Sequence, residues 1–473
     1  MPAGAGSTHR AVSPRDPDRS AIDLAARIPP PVRVILERLW AAGFEAYIVG
    51  GSLRDLVIDR EVADWDVATS ALPERTQDLF PGSAYENRFG TVAVRSAGSV
   101  CEVTTFRREH VYADHRRPER VEFGASIDED LARRDFTMNA IAWGGRSEPA
   151  DLHDPFMGLA DLRARSIRAV GRPDDRFAED ALRMLRAARF AATLEFTIEQ
   201  ETLSAIRRHA NLAAGLSGER VQAELGRILA APRPSIALRL MADTGLLDVL
   251  FPDLAAQRGI AQNKIRGRDL WDHTMATVDA ADPTRPIVRL AALLHDVGKP
   301  STLQDGRFPG HDTEGARIAE RILRERSFPR QRIDRVANLV AHHMFGYSRT
   351  WSDAAVRRFM RRVGLDDLAD LLALREADNV GSGQPGSAGN LPELRERVGA
   401  QLGARHALRL GDLEVDGDDL RQALGIPAGP EVGRILRALL DRVVADPSLN
   451  ERERLLLAAR RIHARGDRST AIR

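Results

Sequence analysis

The hydrophobic period of this chain changes once, near residue 170, and that change limits the folds open to it. Before it, short apolar runs at Tyr47–Val49, Asp66–Ala68, Thr91–Val94, Val100–Phe106 and Ile141–Trp143 alternate with helical spacing such as that of Val32–Ala42. After it, apolar residues recur at steps of three and four. The pattern begins with FAEDALRMLRAARFAA (177–192), where Arg183, Arg186 and Arg189 form a separate stripe. Helical runs continue to 250, with proline breaks at 232–234 and 252, and residues 270–380 are helical and histidine-bearing. GSGQPGSAGN (381–390) reads as a flexible linker before a helical tail to about 465. No internal repeat is present. The pattern predicts an α+β protein: a small mixed β-sheet with helices, followed by all-α domains.

Composition narrows what such a fold does. The chain has 473 residues, 43% of them hydrophobic, enough for several cores. Aromatics are scarce at 5%, which favours helix. A net charge of +1 advertises no nucleic-acid ligand, so any such surface is a local patch. Lys264 and Lys299 are the only lysines, so phosphate contacts fall mostly to guanidinium forks. The single Cys101 excludes disulfides within the chain and cysteine-rich zinc sites, and suits a reducing cytoplasm. Residues 1–28 read as a disordered leader without a signal-peptide core, and no apolar run approaches the roughly 20 residues that span a bilayer.

The chemistry concentrates in VGGSLRDLVIDREVADWDVAT (49–69). Residues two apart on a strand share a face, so Asp64 and Asp66 converge on one or two divalent cations. Their hard oxygens suit Mg²⁺ bound with substrate phosphates. Gly50 and Gly51 let the backbone approach a triphosphate, the helix that follows offers free amides, and Arg54 pairs with a phosphate oxygen. This is equipment for two-metal nucleotidyl transfer, with ions about 4 Å apart.

The same run resembles the signature of the polymerase-beta nucleotidyltransferase superfamily. More narrowly it resembles the class II branch, which contains tRNA CCA-adding enzymes and bacterial poly(A) polymerases. Further collinear motifs carry the resemblance. EVTTFRREHVYADHRRPERVEF (102–123) is similar to the flexible loop of CCA-adding enzymes, and RRDFTMNAIA (133–142) to their ribose-recognition motif. DPFMGLADL (154–162) resembles a DPxGGxxDL turn with Met157 in place of the first glycine. EDALRMLRAARF (179–190) resembles the nucleobase-selecting helix, and SGERVQAEL (217–225) the last, structural motif.

The resemblance implies that Arg134 and Asp135 read the ribose and that Asp180 and Arg183 select the base. As i and i+3 on one helix face, Asp180 and Arg183 combine acceptors and donors that match cytosine or adenine edges. The same two side chains also fit a surface ion pair worth at most about 1 kcal/mol. Arg186 and Arg189 are triphosphate or primer contacts, and Glu102 is a third carboxylate near the metals.

A second site is signalled by LLHDVGKP (293–300), with His273 upstream and His311, His342, His343 and Asp378 downstream. Imidazole with carboxylate suits transition metals, here Ni²⁺, Mn²⁺, Co²⁺ or Zn²⁺. The set resembles HD-type metal phosphohydrolases, and the matching positions are His273, His295, Asp296 and Asp378.

The resemblance implies a leader (1–28), a nucleotidyltransferase head (29–165), a nucleotide-selecting and neck region (166–258), an HD-type helical domain (259–380) and a helical tail (391–473). The expected activity is CCA addition to tRNA from CTP and ATP, with pyrophosphate released, and the HD domain either hydrolysing phosphate esters or serving as scaffold. Poly(A) synthesis, a metal phosphohydrolase with a retired transferase domain and non-catalytic RNA binding are the rivals. The full 102–123 segment favours CCA addition, and the intact Asp64/Asp66 pair disfavours the last two.

Overall fold

The short apolar runs pair into one seven-stranded sheet in the computed structural model, which describes residues 21–470 apart from 88–89, 97, 111–119, 125, 262–266 and 385–388. Residues 1–20 of the expected leader, the middle of the 102–123 segment and 385–388 of the expected linker lie outside the described residues. The strands are β1 (Ala46–Val49), β2 (Trp65–Thr69), β3 (Ala84–Asn87), β4 (Thr91–Ser96), β5 (Ser99–Thr105), β6 (Arg107–His110), β7 (Arg120–Phe123), β8 (Ala142–Gly145), β9 (Asp151–His153) and a short parallel pair, β10 (Ser166–Ile167) with β11 (Thr197–Ile198). The sheet order is β3-β4-β5-β2-β1-β8-β9, and β6–β7 form a separate hairpin.

Every neighbouring pair in the large sheet is antiparallel except β2–β5, which is parallel. A parallel pair needs a crossover, and the chain between them supplies it with the helix Pro73–Leu79 and the β3–β4 hairpin. β1 is buried along its whole length, as a central strand requires. Tyr47, Val49, Ala68, Phe106, Leu131 and Val170 form the core beside it. The expected strands are all present. The pattern missed β3, β6, β7 and β9, whose sequences AYEN, RREH, RVEF and DLH carry too little apolar alternation to signal a strand, and the two-residue strands at Ser166–Ile167 and Thr197–Ile198.

One helix expectation is corrected. Residues 177–192 form two helices, Pro173–Glu179 and Leu182–Leu194, not one. The break is at Asp180, whose backbone is extended (φ −149°) and whose Oδ1 accepts the Leu182 amide at 3.0 Å. The aspartate holds the first amide of the second helix from outside it instead of sitting within one continuous helix. Asp180 and Arg183 therefore do not share a helix face.

The chain divides into two compact units. One is the chain up to Ile228 with Ile236–Leu250, and the other is Leu229–Ser235 with Phe251 onward. The second is all-helical among its described residues and includes Leu270–Ala280, Pro286–Leu294, His311–Glu325, Arg330–His342, Asp353–Val363 and Leu368–Gly381, then Leu391–Gly403, Pro430–Ala445 and Arg452–Thr470. Among the described residues, no helix is long and apolar enough to cross a membrane.

The 154–162 turn shows the cost of its departure from the glycine pattern. Asp154 accepts the amides of Gly158 and Leu159 at 2.6 and 2.9 Å, which holds Met157 at φ 60° in the left-handed region. That conformation costs a non-glycine residue roughly 1–2 kcal/mol. Met157 is 66% exposed, so its side chain contributes little packing. We expect Met157→Gly to stabilise the protein by about 0.5–1 kcal/mol after the extra freedom of the unfolded chain is subtracted. Urea unfolding checks this, and a lower midpoint would show that the Met157 side chain matters more than its backbone strain.

Candidate transferase site and candidate metal centre

The first site grows from the end of β1. The chain turns at Gly50 (φ +70°) into the helix Gly50–Val57, whose first amides carry no side-chain cap. A Cβ on Gly50 would stand 2.8 Å from Arg134 Nη1 and 3.6 Å from Asp66 Oδ2. The glycine thus keeps a space between a guanidinium and a carboxylate at a helix N-terminus. Ser52 ties the turn to β2: its hydroxyl donates to the Val49 carbonyl (2.8 Å) and accepts the Asp66 amide (3.4 Å).

Asp66 lies on β2, and Asp64 is exposed one residue before the strand begins. The parallel register places Glu102 of β5 directly beside Asp66. The Asp66 carboxyl is pushed up to about 6, first by burial, then by Glu102 and Asp64, against the pull of Arg134 and Arg54. Three mutually repelling hard-oxygen donors beside a bare turn fit a divalent cation.

The arginines around this cluster are each held by an acid or a carbonyl. Arg54 forks onto Asp55 (2.8 and 2.9 Å) and donates to Asn139 Oδ1 (2.9 Å). Arg134 pairs with Asp130 (3.1 Å) and donates to the Asn139 carbonyl (3.4 Å), while its Nε is buried with no partner among the described residues. Asp135 accepts from the Phe136 amide, from Asn139 Nδ2 and from Arg186 (2.7 Å). Burial alone would raise its carboxyl, but Arg186 and Asn139 outweigh it and hold Asp135 down at about 2. Arg189 binds Glu224 (2.7 Å). Arg54, Arg186 and Arg189 surround the Phe190 ring at 5.1, 5.5 and 4.0 Å.

The two residues expected to select the base are both nearby and both engaged. Asp180 Oδ2 accepts from Arg220 (2.7 Å), and Arg183 donates to Glu179 (2.8 Å) and to the Arg133 carbonyl (2.9 Å). Sequence reasoning gave no role to Ser52, Asn139 or Arg220. Asn139 and Arg220 lie inside the quoted motifs, which was the available signal.

The second cluster sits where five helices of the second unit meet. His273 comes from Leu270–Ala280 and Asp378 from Leu368–Gly381. These helices pack closely because Gly381 lacks a side chain: a Cβ there would lie 2.2 Å from Thr277 Oγ1. His295 and Asp296 follow Pro286–Leu294, His311 opens His311–Glu325, and His343 follows Arg330–His342. All six are buried.

His273 Nε2 is 3.1 Å from His295 Nε2, 3.3 Å from Asp296 Oδ2 and 3.2 Å from Asp378 Oδ1. On the other side of the same carboxylate, His311 and His343 Nε2 lie 3.5 and 3.6 Å from Asp296 Oδ1. His295, His311 and His343 each turn Nδ1 to a backbone carbonyl, of Ala292, Phe308 and Val340, at 2.7–2.8 Å. That fixes the proton on Nδ1 and leaves the Nε2 lone pairs facing inward. The Nε2 atoms of His311 and His343 are buried without a hydrogen-bond partner among the described residues. Burial lowers the proton affinity of His295 and His311, keeping them neutral. Neutral imidazoles aimed at a shared carboxylate fit a metal. The structure thus brings together His273, His295, Asp296 and Asp378 and adds His311 and His343, which the sequence reading left unassigned. Lys299 Nζ lies 2.6 Å from Asp296 Oδ2.

Comparison with known proteins matches three segments of the chain. Residues 46–168 match the family described as Poly A polymerase head domain, 195–258 the one described as Probable RNA and SrmB- binding site of polymerase A, and 271–381 the HD domain. The chain is 37% identical to a CCA-adding enzyme of Geobacillus kaustophilus, over 89% of this chain and 94% of that protein. It is 35% identical to one of Levilactobacillus brevis, over 90% and 96% respectively. A crystal structure of the Bacillus stearothermophilus CCA-adding enzyme in complex with CTP superposes with a TM-score of 0.71 at 30% identity, covering 93% of this chain and all (100%) of that one.

The Asp135–Arg186 pair makes a pH prediction. A folded value near 2, below the unfolded 3.8, stabilises the protein above about pH 4 and stops doing so as pH falls through 2. Asp135→Asn should therefore cost about 2 kcal/mol or more at pH 7, with the gap to the parent narrowing between pH 4 and 2. Thermal melts across that range measure it, and a gap independent of pH would show that the ion pair contributes nothing.

Proposed function

The chain belongs to the family of CCA-adding enzymes, and from that membership we propose how its own residues share the reaction. It is a nucleotidyltransferase that builds the 3′-terminal CCA of tRNA from CTP and ATP. The observation that carries the site assignment is the half-buried Asp66 carboxylate, set beside Glu102 and within the field of Asp64 beneath the Gly50 turn.

Asp64 and Asp66 hold Mg²⁺, with Glu102 adding to the negative field. Bound there, Mg²⁺ supplies activation of the primer hydroxyl and neutralisation of the departing pyrophosphate. The primer 3′ oxygen attacks the α-phosphorus as the bond to pyrophosphate breaks. Gly50 and Gly51 seat the triphosphate against the free amides of their helix. Arg54, Arg186 and Arg189, gathered around Phe190, supply positive charge, and Arg134 with Asp135 orients the ribose.

Asp180 and Arg183 read the base edge. Their pairings with Arg220 and Glu179 support a resting arrangement in which protein groups stand in for the nucleobase. We assign transfer to residues 29–165, base selection and the neck to 166–258, and grip on the tRNA backbone to the helical regions beyond 190, including the tail 391–473. The lone, buried Cys101 accords with a cytoplasmic setting.

A second reading concerns residues 259–380. The six buried His and Asp side chains support a transition metal, Ni²⁺, Mn²⁺, Co²⁺ or Zn²⁺, which supplies Lewis-acid activation for phosphate-ester hydrolysis. Asp296 would serve both groups of imidazoles, with Oδ2 toward His273 and His295 and Oδ1 toward His311 and His343.

The test supplies Mg²⁺ and each nucleoside triphosphate separately to tRNA transcripts ending before, within and after CCA. Incorporation of C and A that stops at the completed end is expected, whereas long A tails on unstructured RNA would replace this reading with polyadenylation. Asp66→Ala should lower transfer by at least about 10³-fold with the fold retained, and Asp180→Ala should loosen the choice of base. For the second centre, phosphodiesterase activity with an added transition metal should vanish in Asp296→Ala and survive in Asp66→Ala. Its absence with all four metals would leave the cluster structural.

A further inference from the structure

A chain with a net charge of +1 must meet a polyanion through local surface. Many surface arginines of the second unit are neutralised, such as Arg317 by Glu314, Arg321 by Asp253, Arg324 by Glu320, Arg330 by Asp334 and Arg335 by Asp367. Others are not, and the helix Asp353–Val363 groups two of them on one face. Of its arginines, Arg357 is buried on the Val444 carbonyl and Gln401, and Arg361 pairs with Asp441. Arg358 and Arg362 are exposed, and neither forms an ion pair with a described residue.

These guanidinium groups border a cleft of about 610 Å³ lined by Trp351, Ala355, Arg358, Phe359, Arg361 and Arg362. That volume lies within the roughly 300–1,000 Å³ of ordinary ligand sites. Ala355, Arg358, Phe359 and Arg362 fall at i, i+3, i+4 and i+7, one face of the helix, and the small Ala355 leaves the space open. Behind the arginines runs a row of rings: Phe345–Phe359 at 4.9 Å, Phe359–Trp351 at 5.6 Å and Trp351–Tyr347 at 5.6 Å. Phe345, Tyr347 and Phe359 are buried, while Trp351 is half-buried at the cleft. Arg362 lies over the Phe359 ring at 5.9 Å.

We propose that this cleft holds an unpaired nucleotide of the RNA substrate, with its base against Trp351 and its phosphates on Arg358 and Arg362. The inference rests on the transferase reading, which makes RNA the polyanion this enzyme meets. Base–aromatic stacking beside guanidinium-held phosphate is the general chemistry of single-strand binding. An acidic peptide would use the arginines and leave the ring face without a planar partner. Stacking tolerates any base, so the site adds affinity without adding sequence preference.

The experiment measures binding of a fluorescent tRNA transcript lacking its terminal CCA to the full chain, with Arg358→Ala plus Arg362→Ala against Arg324→Ala plus Arg330→Ala as a charge-matched control. The first pair should weaken binding about tenfold and reduce the slope of log Kd on log salt by about 1–1.5, and the control should change Kd less than twofold. CTP incorporation at saturating RNA should be unchanged in both, and 4-thiouridine in the transcript should cross-link to the peptide containing Trp351. Equal Kd for parent and first pair, both folded by melting, would overturn the proposal. So would protection of the cleft by free CMP or ATP with RNA binding unaffected. If the parent chain fails to extend any tRNA, the transferase reading falls with it, whereas normal extension beside an unchanged Kd condemns the cleft alone.

Discussion

Acids of like charge held together by strand register are the constraint around which the first unit is organised. The parallel β2–β5 pairing gives Asp66 no choice of neighbour: Glu102 stands directly across from it, and Asp64 is close in the chain. Partial burial makes their repulsion stronger than it would be in water. A sequence under no functional demand would relieve this with one polar substitution. Here the strain is offset only in part, by Arg134 and Arg54. What remains is an affinity for cationic charge located at the one place where Gly50 leaves room for a ligand.

The arginines answer a different requirement. A guanidinium on a free side chain would lose considerable rotamer freedom on binding a phosphate. Here each is held in advance: Arg54 on Asp55, Arg134 on Asp130, Arg186 on Asp135, Arg189 on Glu224. Asn139 links three of these groups by accepting from Arg54 and Arg134 and donating to Asp135. A network satisfied on so many sides behaves as one body. Displacing any member disturbs its partners, so a change at Asn139 would be felt at Arg54, Arg134 and Asp135 together.

What the sequence revealed and what it concealed follow from the range of each interaction. Asp66, Gly50 and the HD doublet were legible because their geometry is set within a few residues, whereas Asp64 lies one residue before β2, so the strand alternation expected to align it with Asp66 does not place it. Glu102 was expected near the same acids, but its place directly beside Asp66 depends on sheet register, which a local pattern does not encode. Arg220, His311 and His343 were hidden for the same reason: each reaches its partner only through tertiary packing. The misread helix at 177–192 has another cause. Its apolar period continues through Asp180, but the aspartate side chain competes for a backbone amide and wins, which periodicity cannot register.

The two clusters present different donor sets to any cation that reaches them. The first offers carboxylate oxygens alone, and oxygens favour a small, strongly hydrated ion that keeps water and phosphate in its shell. The second offers imidazoles whose outer nitrogens are already spent on the carbonyls of Ala292, Phe308 and Val340, so only Nε2 remains to bind. Its carboxylates are partly occupied too, Asp296 by Lys299 and Asp378 by Arg375. The two acids and two cationic side chains cancel, so an entering ion finds neutral nitrogen donors in place of a negative well. Mg²⁺ gains little from such a set, whereas an ion that bonds strongly to nitrogen gains most of its binding energy there. The difference between the two donor sets thus lies in which atoms remain unspent, and at the second cluster the carbonyls of Ala292, Phe308 and Val340 settle that.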